Sequence, residues 1–308
     1  MWILTAMWKI VQSELGDPSV LRLIEADRPE PGPTEVLVEV RAAGVNPVDW
    51  KVRAHGGILG PPPFTVGWEI SGVVSALGPG VTRFAVGDEV FGMPRFPKEL
   101  AGYAEYVTAP ARHLARTPRV MGQVEAGGLA LGGLTAWQTL VETANVQPGQ
   151  RVLIPGAAGG FGHLAVQVAK ALGAYVIGTA SAPKHDFVRG LGADEVVDYR
   201  SEDVGAVVKD VDLAIATVSG QLPVLAATLR PGGLIVALNS AEATTVRDFG
   251  GLFLLAEPDR AGLEALATLV DAGKLRVHVD RVFPLAEAAE AHRRGETGRT
   301  TGKLVLVP

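Results

Sequence analysis

The chain has 308 residues, of which 47% are hydrophobic and 20% charged, and its formal net charge is −5. This composition is typical of a globular protein with room for two domains, and an acidic balance without any basic block excludes nucleic acid and anionic membrane surfaces as partners. Because cysteine is absent and the six histidines show no metal-binding spacing, we expect no metal cofactor. No targeting segment or membrane-spanning apolar tract is recognisable, so we expect a cytoplasmic location.

The predicted pattern of secondary structure changes along the chain. Residues 8–118 contain short strand-like runs between Gly and Pro, such as EVLVEVRAAGV, ISGVVSALG and DEVFGM. Residues 126–270 alternate strand and helix, a pattern typical of parallel strands with crossover helices, and residues 277–308 return to strand, helix and strand. We therefore predict a β-rich catalytic domain from residues 1–125 and 271–308, and a doubly wound parallel α/β domain from residues 126–270.

A glycine-rich turn within the α/β stretch is the most informative motif. The segment RVLIPGAAGGFGHLAVQVAKALGAYVIGTA places Gly156, Gly159 and Gly162 between an apolar strand and an amphipathic helix, and a second apolar strand follows. A helix N-terminus presents unpaired N–H groups and a partial positive charge, and glycine lets a pyrophosphate approach the backbone closely. This context favours a dinucleotide site over a glycine loop that only packs a helix on a sheet.

The residues after the second strand bear on the choice of dinucleotide. NAD-binding proteins usually carry Asp or Glu there, to accept a hydrogen bond from the ribose 2′-hydroxyl. This chain offers Thr179, Ser181 and Lys184, and no carboxylate before Asp186. Hydroxyl donors and a cation suit a 2′-phosphate, so NADPH is predicted over NADH. The alternative for Lys184 is a solvated side chain at the start of a helix.

Several ordered blocks accompany the glycine turn, among them PGPTEVLVEVRAAGVNPVDWKVR, GWEISGVVSALGPGVTRFAVGDEVFG, GYAEYV, LGGLTAWQTL and TGKLVLV. Over nearly its whole length the chain resembles the zinc-free quinone oxidoreductase branch of the medium-chain dehydrogenase/reductase superfamily, especially the enone reductases of the chloroplast-envelope type. The resemblance implies a GroES-like catalytic domain and a Rossmann nucleotide-binding domain. The family's usual start aligns with Met7, so residues 1–6 are expected to be an extension.

The resemblance also concerns metal and catalytic residues. Zinc-dependent members carry Cys where this chain has Asn46 and His where it has Trp68, and they insert a four-cysteine lobe that is missing here. Without a metal, hydride transfer needs an electron-poor carbon and hydrogen-bond donors at the substrate oxygen. Asn46 and Lys51 are the candidate catalytic donors, although either can instead satisfy local backbone, and Asp49 is expected to cap a helix. Bacterial quinone reductases often carry Tyr where Lys51 stands.

Matching positions imply further cofactor contacts. Thr135 corresponds to a threonine near the nicotinamide, Asn239 to a residue at its carboxamide end, and Tyr199 to a tyrosine near the adenosine. The structural alternatives are a helix-interior hydroxyl for Thr135, a turn residue for Asn239 and a strand-end aromatic for Tyr199. The complete predicted cofactor-binding set is Asn46, Thr135, Gly156, Ala158, Gly159, Gly160, Phe161, Gly162, Thr179, Ser181, Lys184, Tyr199, Asn239 and Lys303.

The expected function is NADPH-dependent reduction of quinones or of the activated C=C bond of α,β-unsaturated carbonyls, with a small molecule as substrate. Two alternatives remain: an enoyl-thioester reductase of fatty-acid or polyketide assembly, and a protein that binds NADPH without turnover. The apolar segment Gly233–Leu238 is interpreted as the last strand of the α/β sheet. The resemblance implies that such an edge pairs with its twofold mate, so a homodimer is expected; the alternative is an edge covered by its own chain.

Overall fold

The computed structural model describes residues 6–308. Of the extension predicted at residues 1–6, all but Ala6 lies outside the described residues. The strands are β1 Ala6–Val11, β2 Arg22–Asp27, β3 Glu35–Val45, β4 Glu69–Leu77, β5 Glu89–Gly92, β6 Tyr106–Pro110, β7 Leu114–Arg116, β8 Arg151–Ile154, β9 Tyr175–Thr179, β10 Glu195–Val197, β11 Val211–Ala216, β12 Leu229–Ala237, β13 Leu252–Phe253, β14 Val279–Pro284 and β15 Lys303–Val307. The α-helices are α1 Pro47–His55, α2 Gln123–Ala126, α3 Ala130–Trp137, α4 Gly162–Ala171, α5 His185–Arg189, α6 Val204–Val207, α7 Leu222–Ala226, α8 Arg260–Asp271 and α9 Ala288–Glu296.

The chain forms two compact units. The first contains residues up to 134 together with 257–272 and 277–308, and the second contains residues 135–256 and 273–276. These limits differ from the predicted domain boundaries at 126 and 270, because helix α8 belongs to the first unit. Its Asp271 pairs with Arg119 at 3.3 Å, and its Leu266 packs so closely on Gly133 that an added Cβ would lie 2.8 Å from it.

The first unit is built on a seven-stranded sheet around β3. Its order is β14-β15-β3-β4-β5-β7, and β6 also pairs with β3. Strand β4 takes one edge of β3, while β6 pairs with residues 35–39 and β15 with residues 43–45 of the other edge. Val36, Val38 and Val40 are buried along β3 and contribute to the core. The C-terminal strand β15 therefore lies beside the segment that leads into Asn46.

The second unit is a six-stranded, fully parallel sheet. Its strand order is β10-β9-β8-β11-β12-β13. From β8 the chain adds strands first on one side of the sheet and then, from β11 onward, on the other side. Doubly wound sheets bind dinucleotides at this switch point. The predicted α/β fold class with a β-rich first unit is thus confirmed. The core of the second unit includes Leu153, Ile177, Ala214 and Ile235 from four adjacent strands.

One prediction about this sheet is wrong. The apolar segment Gly233–Leu238 is not at the sheet edge, because Leu252 and Phe253 of β13 pair in parallel with Val236 and Ala237 of β12. The two-residue strand β13 follows two short 3₁₀ helices, Ser240–Glu242 and Thr245–Phe249, and its shortness hid it from the sequence pattern. In the part of the chain that the structure describes, no helix combines the length and the apolarity needed to cross a bilayer.

Candidate active site

The glycine-rich turn joins β8 to helix α4 in the second unit. Gly156 is exposed and adopts φ +63°, a left-handed conformation that favours glycine, and a Cβ added there would meet nothing within 4 Å. At Gly162, by contrast, an added Cβ would collide with the Gly156 carbonyl oxygen. Gly156 therefore leaves the mouth of the turn open, whereas Gly162 is needed so that α4 can begin against the turn.

Backbone donors line this turn. The N–H of Gly156 donates to the Thr179 hydroxyl at 3.3 Å, and the N–H of Ala157 donates to the Thr179 carbonyl at 3.0 Å. Thr179 is buried, and through these two hydrogen bonds it supports the turn from the neighbouring strand β9. Within residues 6–308, no acceptor receives the N–H groups of Ala158, Gly160, Phe161 and Gly162. Unpaired donors at the start of a helix suit a pyrophosphate, so the turn fits the predicted dinucleotide.

The carboxyl ends of β9 and β10 carry the residues predicted to read the ribose phosphate. Ser181 and Lys184 are half-buried at the two ends of one short turn, where the Lys184 N–H donates to the Ser181 carbonyl at 2.8 Å. Tyr199 follows β10 and is 52% exposed, with the Arg200 guanidinium 5.8 Å from its ring centroid. Parallel strands end at the same sheet edge, so the structure brings these predicted residues together.

A carboxylate missed by the sequence analysis lies at the same edge. Asp198, at the end of β10, accepts the N–H of Ala182 at 3.3 Å and the N–H of Arg200 at 3.0 Å. No carboxylate stands in the segment directly after β9 before Asp186, and Asp198 contacts that segment from the next strand. Its negative charge lies next to the Ser181–Lys184 turn and opposes a 2′-phosphate there.

Asn239 follows β12, near the point where β11 also ends. Its amide nitrogen donates to the Ser219 hydroxyl at 2.7 Å, and its oxygen accepts the N–H of Ala241 at 3.3 Å. Glu242 completes this cluster by accepting the N–H of Gly220 at 2.6 Å. Asn239 therefore does hold a turn, as the structural alternative proposed, and it does so at the carboxyl end of the sheet, where ligands of such sheets bind.

Thr135 lies in α3, which continues as a π-helical segment over Gln138–Thr143. The Thr135 carbonyl accepts the Thr139 hydroxyl at 2.6 Å. Single π-helical turns inside helices are frequent at functional sites. This geometry is compatible with either of the two interpretations of Thr135.

In the first unit, Asn46 belongs to a buried cluster with Glu69 and Lys303. The Asn46 amide nitrogen donates to Glu69 Oε1 at 2.9 Å, and its oxygen accepts the Lys303 ammonium at 2.6 Å. Lys303 also pairs directly with Glu69 Oε1, and the other Glu69 oxygen accepts the N–H of Leu131 at 2.6 Å. Glu69 is fully buried, Lys303 is 2% exposed and Asn46 is 4% exposed. Asn46 and Lys303 each retain one polar hydrogen beyond these bonds.

A second buried network adjoins this cluster. Asp49 Oδ2 accepts the N–H of Asn46 at 2.6 Å and the hydroxyl of Tyr103 at 3.1 Å. His292 lies 3.1 Å from the Tyr103 hydroxyl through Nε2, and 3.1 Å from Arg53 NH1 through Nδ1. Arg53 then pairs with Glu296 at 2.6 Å, close to the surface. Asp49 therefore caps the start of α1 as expected, but it is also tied to residues far away in the sequence.

Burial controls the protonation of this second network. Desolvation raises the pKa of the Asp49 carboxyl to about 7, against the lowering effect of the Asn46 and Tyr103 hydrogen bonds. Desolvation also lowers the pKa of His292 to about 3, and the Arg53 charge adds to this effect. At neutral pH His292 is therefore uncharged, and Asp49 is near its midpoint. The pKa of Tyr103 lies well above its ordinary value, again chiefly because of burial.

Lys51, the second predicted catalytic donor, is on the exposed face of α1. Partial desolvation of its ammonium lowers its pKa from the usual value, although the residue as a whole is exposed. The structure thus separates the two predicted donors: Asn46 is fixed by buried partners, while Lys51 has an open environment. Of the two, Asn46 is the one whose side chain is held in a fixed orientation, as preorganised hydrogen-bond donors require.

Comparison with known proteins now adds to this geometry. Residues 32–119 match the alcohol dehydrogenase GroES-like domain family, and residues 191–306 match the zinc-binding dehydrogenase family. The chain is 36% identical to a 2-haloacrylate reductase from a Burkholderia species, over 90% of this chain and 92% of that protein. The chain is a quinone oxidoreductase-like member of the medium-chain dehydrogenase/reductase superfamily.

Solved structures of other superfamily members agree with this assignment. The quinone oxidoreductase of Coxiella burnetii superimposes with a TM-score of 0.93 at 35% identity, covering 99% of this chain and 100% of that one. A mycobacterial protein solved in complex with NADPH superimposes with a TM-score of 0.87 at 29% identity, covering 98% of this chain and 100% of that one. The similarity therefore extends over both units.

The name of the zinc-binding dehydrogenase family raises the question of metal in this oxidoreductase. Both polar ends of the Asn46 amide are engaged by Glu69 and Lys303. Trp68 is fully buried, donates its indole N–H to the Lys98 carbonyl at 2.8 Å and packs edge-on against Phe96. An engaged amide and an indole are not zinc ligands. The residues at these two positions therefore do not fit a catalytic zinc ion.

Sequence reasoning missed Glu69, Tyr103, Arg53 and His292. A signal existed for Glu69, because it stands in the apolar run WEISGVV, where a charge must be paired to be buried. The same holds for Lys303 in GKLVLV, which pairs with Glu69, while its contact with the cofactor stays a prediction. Tyr103 and His292 carried no such signal. Tyr103 is 54 positions from its partner Asp49 and 189 positions from its partner His292.

Proposed function

We propose that this superfamily member is an NADPH-dependent reductase of quinones or of the activated C=C bond of α,β-unsaturated carbonyls. The observation that carries the proposal is the buried Asn46–Lys303–Glu69 cluster at the position where zinc-dependent members hold their metal. A fixed amide and a fixed ammonium are hydrogen-bond donors, not a Lewis acid. Such donors suit a substrate whose carbon is already electron-poor and whose oxygen gains negative charge during reduction.

In this proposal each unit has a distinct task. The spare N–H of Asn46 and the spare N–H of Lys303 bind the substrate oxygen and stabilise its developing charge. Glu69 holds both donors in place and balances the charge of Lys303. In the second unit, the open N–H groups of the glycine turn hold the pyrophosphate, and Ser181 with Lys184 holds the 2′-phosphate. When bound, the nicotinamide supplies the hydride.

The preference for NADPH over NADH is part of the proposal. It is supported by Ser181 and Lys184 at the end of β9, and by the NADPH bound in the mycobacterial relative. Asp198 works against it, because its carboxylate lies beside the same turn. We expect NADPH to be preferred, but by less than in a site without that carboxylate.

The test is NADPH oxidation with 1,4-benzoquinone, methyl vinyl ketone and crotonyl coenzyme A, with propanal as the control carbonyl. We expect turnover with benzoquinone or methyl vinyl ketone, none with propanal, and no loss of rate after prolonged treatment with phenanthroline. A rate with propanal that chelation abolishes would contradict the proposal. Turnover of the thioester alone would favour an enoyl-thioester reductase, and NADPH binding without any turnover would favour a binding protein.

We further propose that the protein is a homodimer. Leu252 in the edge strand β13 is 49% exposed, and an exposed apolar edge favours pairing with a second copy to give a homodimer. Light scattering at micromolar concentration that gives the mass of one chain would contradict the dimer. We also propose a cytoplasmic location, and fractionation of the native cell is its test.

A further inference from the structure

Asp49 is the one buried acid of the two networks without a cationic partner. Glu69 pairs with Lys303, and Glu296 pairs with Arg53, so those charges balance. Asp49 receives two hydrogen bonds on Oδ2, while its Oδ1 atom is buried and has no hydrogen-bond partner among the described residues. A buried carboxylate without a cationic partner is costly, so the site favours the neutral acid.

The donors in this network have only one consistent arrangement. Arginine can only donate, so His292 Nδ1 must accept from Arg53 and His292 carries its proton on Nε2. That proton is donated to the Tyr103 oxygen, and the Tyr103 hydroxyl is then donated to Asp49 Oδ2. Every hydrogen in the chain is therefore directed toward Asp49.

This direction excludes a proton wire to the surface. A wire would have to draw its proton from Arg53, and arginine does not deprotonate in proteins. The chain therefore holds Asp49 in place and does not conduct protons to it. A helix cap alone does not explain the carboxyl either, since a cap needs only an acceptor, which an amide oxygen or a hydroxyl also provides.

We propose that Asp49 is a positioning residue of the active site that works in its protonated, uncharged form. Through Oδ2 it fixes the backbone of Asn46, and loss of its proton adds a negative charge beside Asn46 and Lys303. That charge opposes the negative charge developing on the substrate oxygen. The inference rests on the proposed function, because it assumes that Asn46 and Lys303 bind that oxygen.

The charged and titratable groups around Asp49 support this role. Glu69 and Lys303 approach it from β4 and β15, and their effects on its pKa are opposite. Tyr103 and His292 stay uncharged near neutral pH, while Arg53 on the same helix is paired with Glu296. Asp49 is consequently the member of this network whose charge changes near pH 7.

The test compares the pH dependence of kcat for the wild type, Asp49→Asn and Asp49→Ala with methyl vinyl ketone between pH 5.5 and 8.5. We expect the wild-type kcat to fall by about tenfold as the pH rises through 7. Asp49→Asn keeps an acceptor for Asn46 and Tyr103 but cannot ionise, so its kcat should stay near the low-pH wild-type value throughout. Asp49→Ala removes the acceptor and should lose activity at every pH.

A second variant tests the direction of the hydrogen bonds. The Tyr103 hydroxyl stabilises ionised Asp49, so Tyr103→Phe should move the midpoint of the fall in kcat to higher pH. Asp259→Asn is the matched control, because Asp259 caps α8 through the N–H groups of Ala261 and Gly262, outside these networks. It should reproduce the wild-type profile. A wild-type-like fall in Asp49→Asn would overturn the proposal.

A readout without substrate separates this proposal from the proposed function. NMR of the protein labelled with ¹³C at its aspartate carboxyls should show one carboxyl that titrates near pH 7 and is missing in Asp49→Asn. If this resonance is present but no quinone or enone is reduced, the proposed function fails and the protonation of Asp49 stands. If no aspartate titrates near pH 7, the proposal for Asp49 fails whatever the substrate.

Discussion

The two units present their hydrogen-bond donors in opposite ways. The second unit offers backbone N–H groups on a glycine turn and side chains at the open end of a parallel sheet. The first unit instead buries Asn46, Glu69 and Lys303 and pairs them with each other. A local motif can bind a phosphate because the backbone supplies the donors. A site that stabilises a developing charge needs side chains fixed by distant partners, and it becomes sensitive to the loss of any one of them.

The largest effect is expected from breaking the buried ion pair. Glu69→Gln leaves the Lys303 ammonium without its counter-ion in a site where both side chains are almost fully buried. We expect the free energy of unfolding to fall by about 3–5 kcal/mol. The double variant Glu69→Gln with Lys303→Met should lose clearly less than the sum of the two single changes. Urea denaturation of the four proteins measures this, and additive losses would show that the pair is not coupled.

The glycine turn should respond in two different ways. Valine at Gly162 collides with the Gly156 carbonyl, so Gly162→Val should lower the free energy of unfolding by about 3 kcal/mol. A Cβ at Gly159 lies 3.2 Å from the same oxygen, a contact that small shifts relieve. Gly159→Val should therefore remain folded but lose NADPH binding in a fluorescence titration. Normal binding by folded Gly159→Val would place the pyrophosphate elsewhere.

Local features of the fold could be predicted from the sequence, whereas contacts between distant residues could not. The glycine turn, the doubly wound α/β fold and the β-rich first unit followed from local patterns, since a strand, three glycines and a helix, for example, lie within one short segment. The Asn46–Lys303 contact joins positions 257 residues apart, and no local pattern encodes it. Asp198 and β13 were missed for a related reason: each acts from a neighbouring strand, which the sequence near the site does not show.

Cofactor choice sharpens the comparison at the exposed sheet edge. Ser181→Asp with Lys184→Ala removes the two proposed contacts to the 2′-phosphate and adds a repulsive charge, so the free energy of NADPH binding should weaken by about 1.5–3 kcal/mol per contact. NADH affinity should hold or improve. Asp198→Asn should act in the other direction and favour NADPH. KM values for both cofactors provide the measurement, and equal changes for NADPH and NADH would show that this turn does not read the 2′-phosphate.

The smallest effect is a change of slope in stability against pH. Asp49 has a folded pKa of about 7 against an ordinary 3.8, so between these values the folded state holds a proton that the unfolded state has lost. His292 has a folded pKa of about 3 against 6.5, so over much of the same range the unfolded state holds the extra proton. The two contributions cancel between about pH 4.5 and 6.

Single substitutions should uncover each contribution. In Asp49→Asn only His292 remains, and the free energy of unfolding should rise by about 1.4 kcal/mol per pH unit relative to the wild type. In His292→Gln only Asp49 remains, and the free energy of unfolding should fall by a similar amount per pH unit relative to the wild type. Urea denaturation at several pH values measures both slopes. Parallel curves for the three proteins would contradict the assigned protonation states.

The most direct test of the proposed chemistry follows the hydride itself. NADPH deuterated at nicotinamide C4, in each stereochemical form, is allowed to react with methyl vinyl ketone, and NMR locates the deuterium in the product. The site of fixed hydrogen-bond donors at the substrate oxygen predicts deuterium on the β-carbon of 2-butanone from one of the two forms. Deuterium on the carbinol carbon of an allylic alcohol would instead show carbonyl reduction, and it would contradict the account.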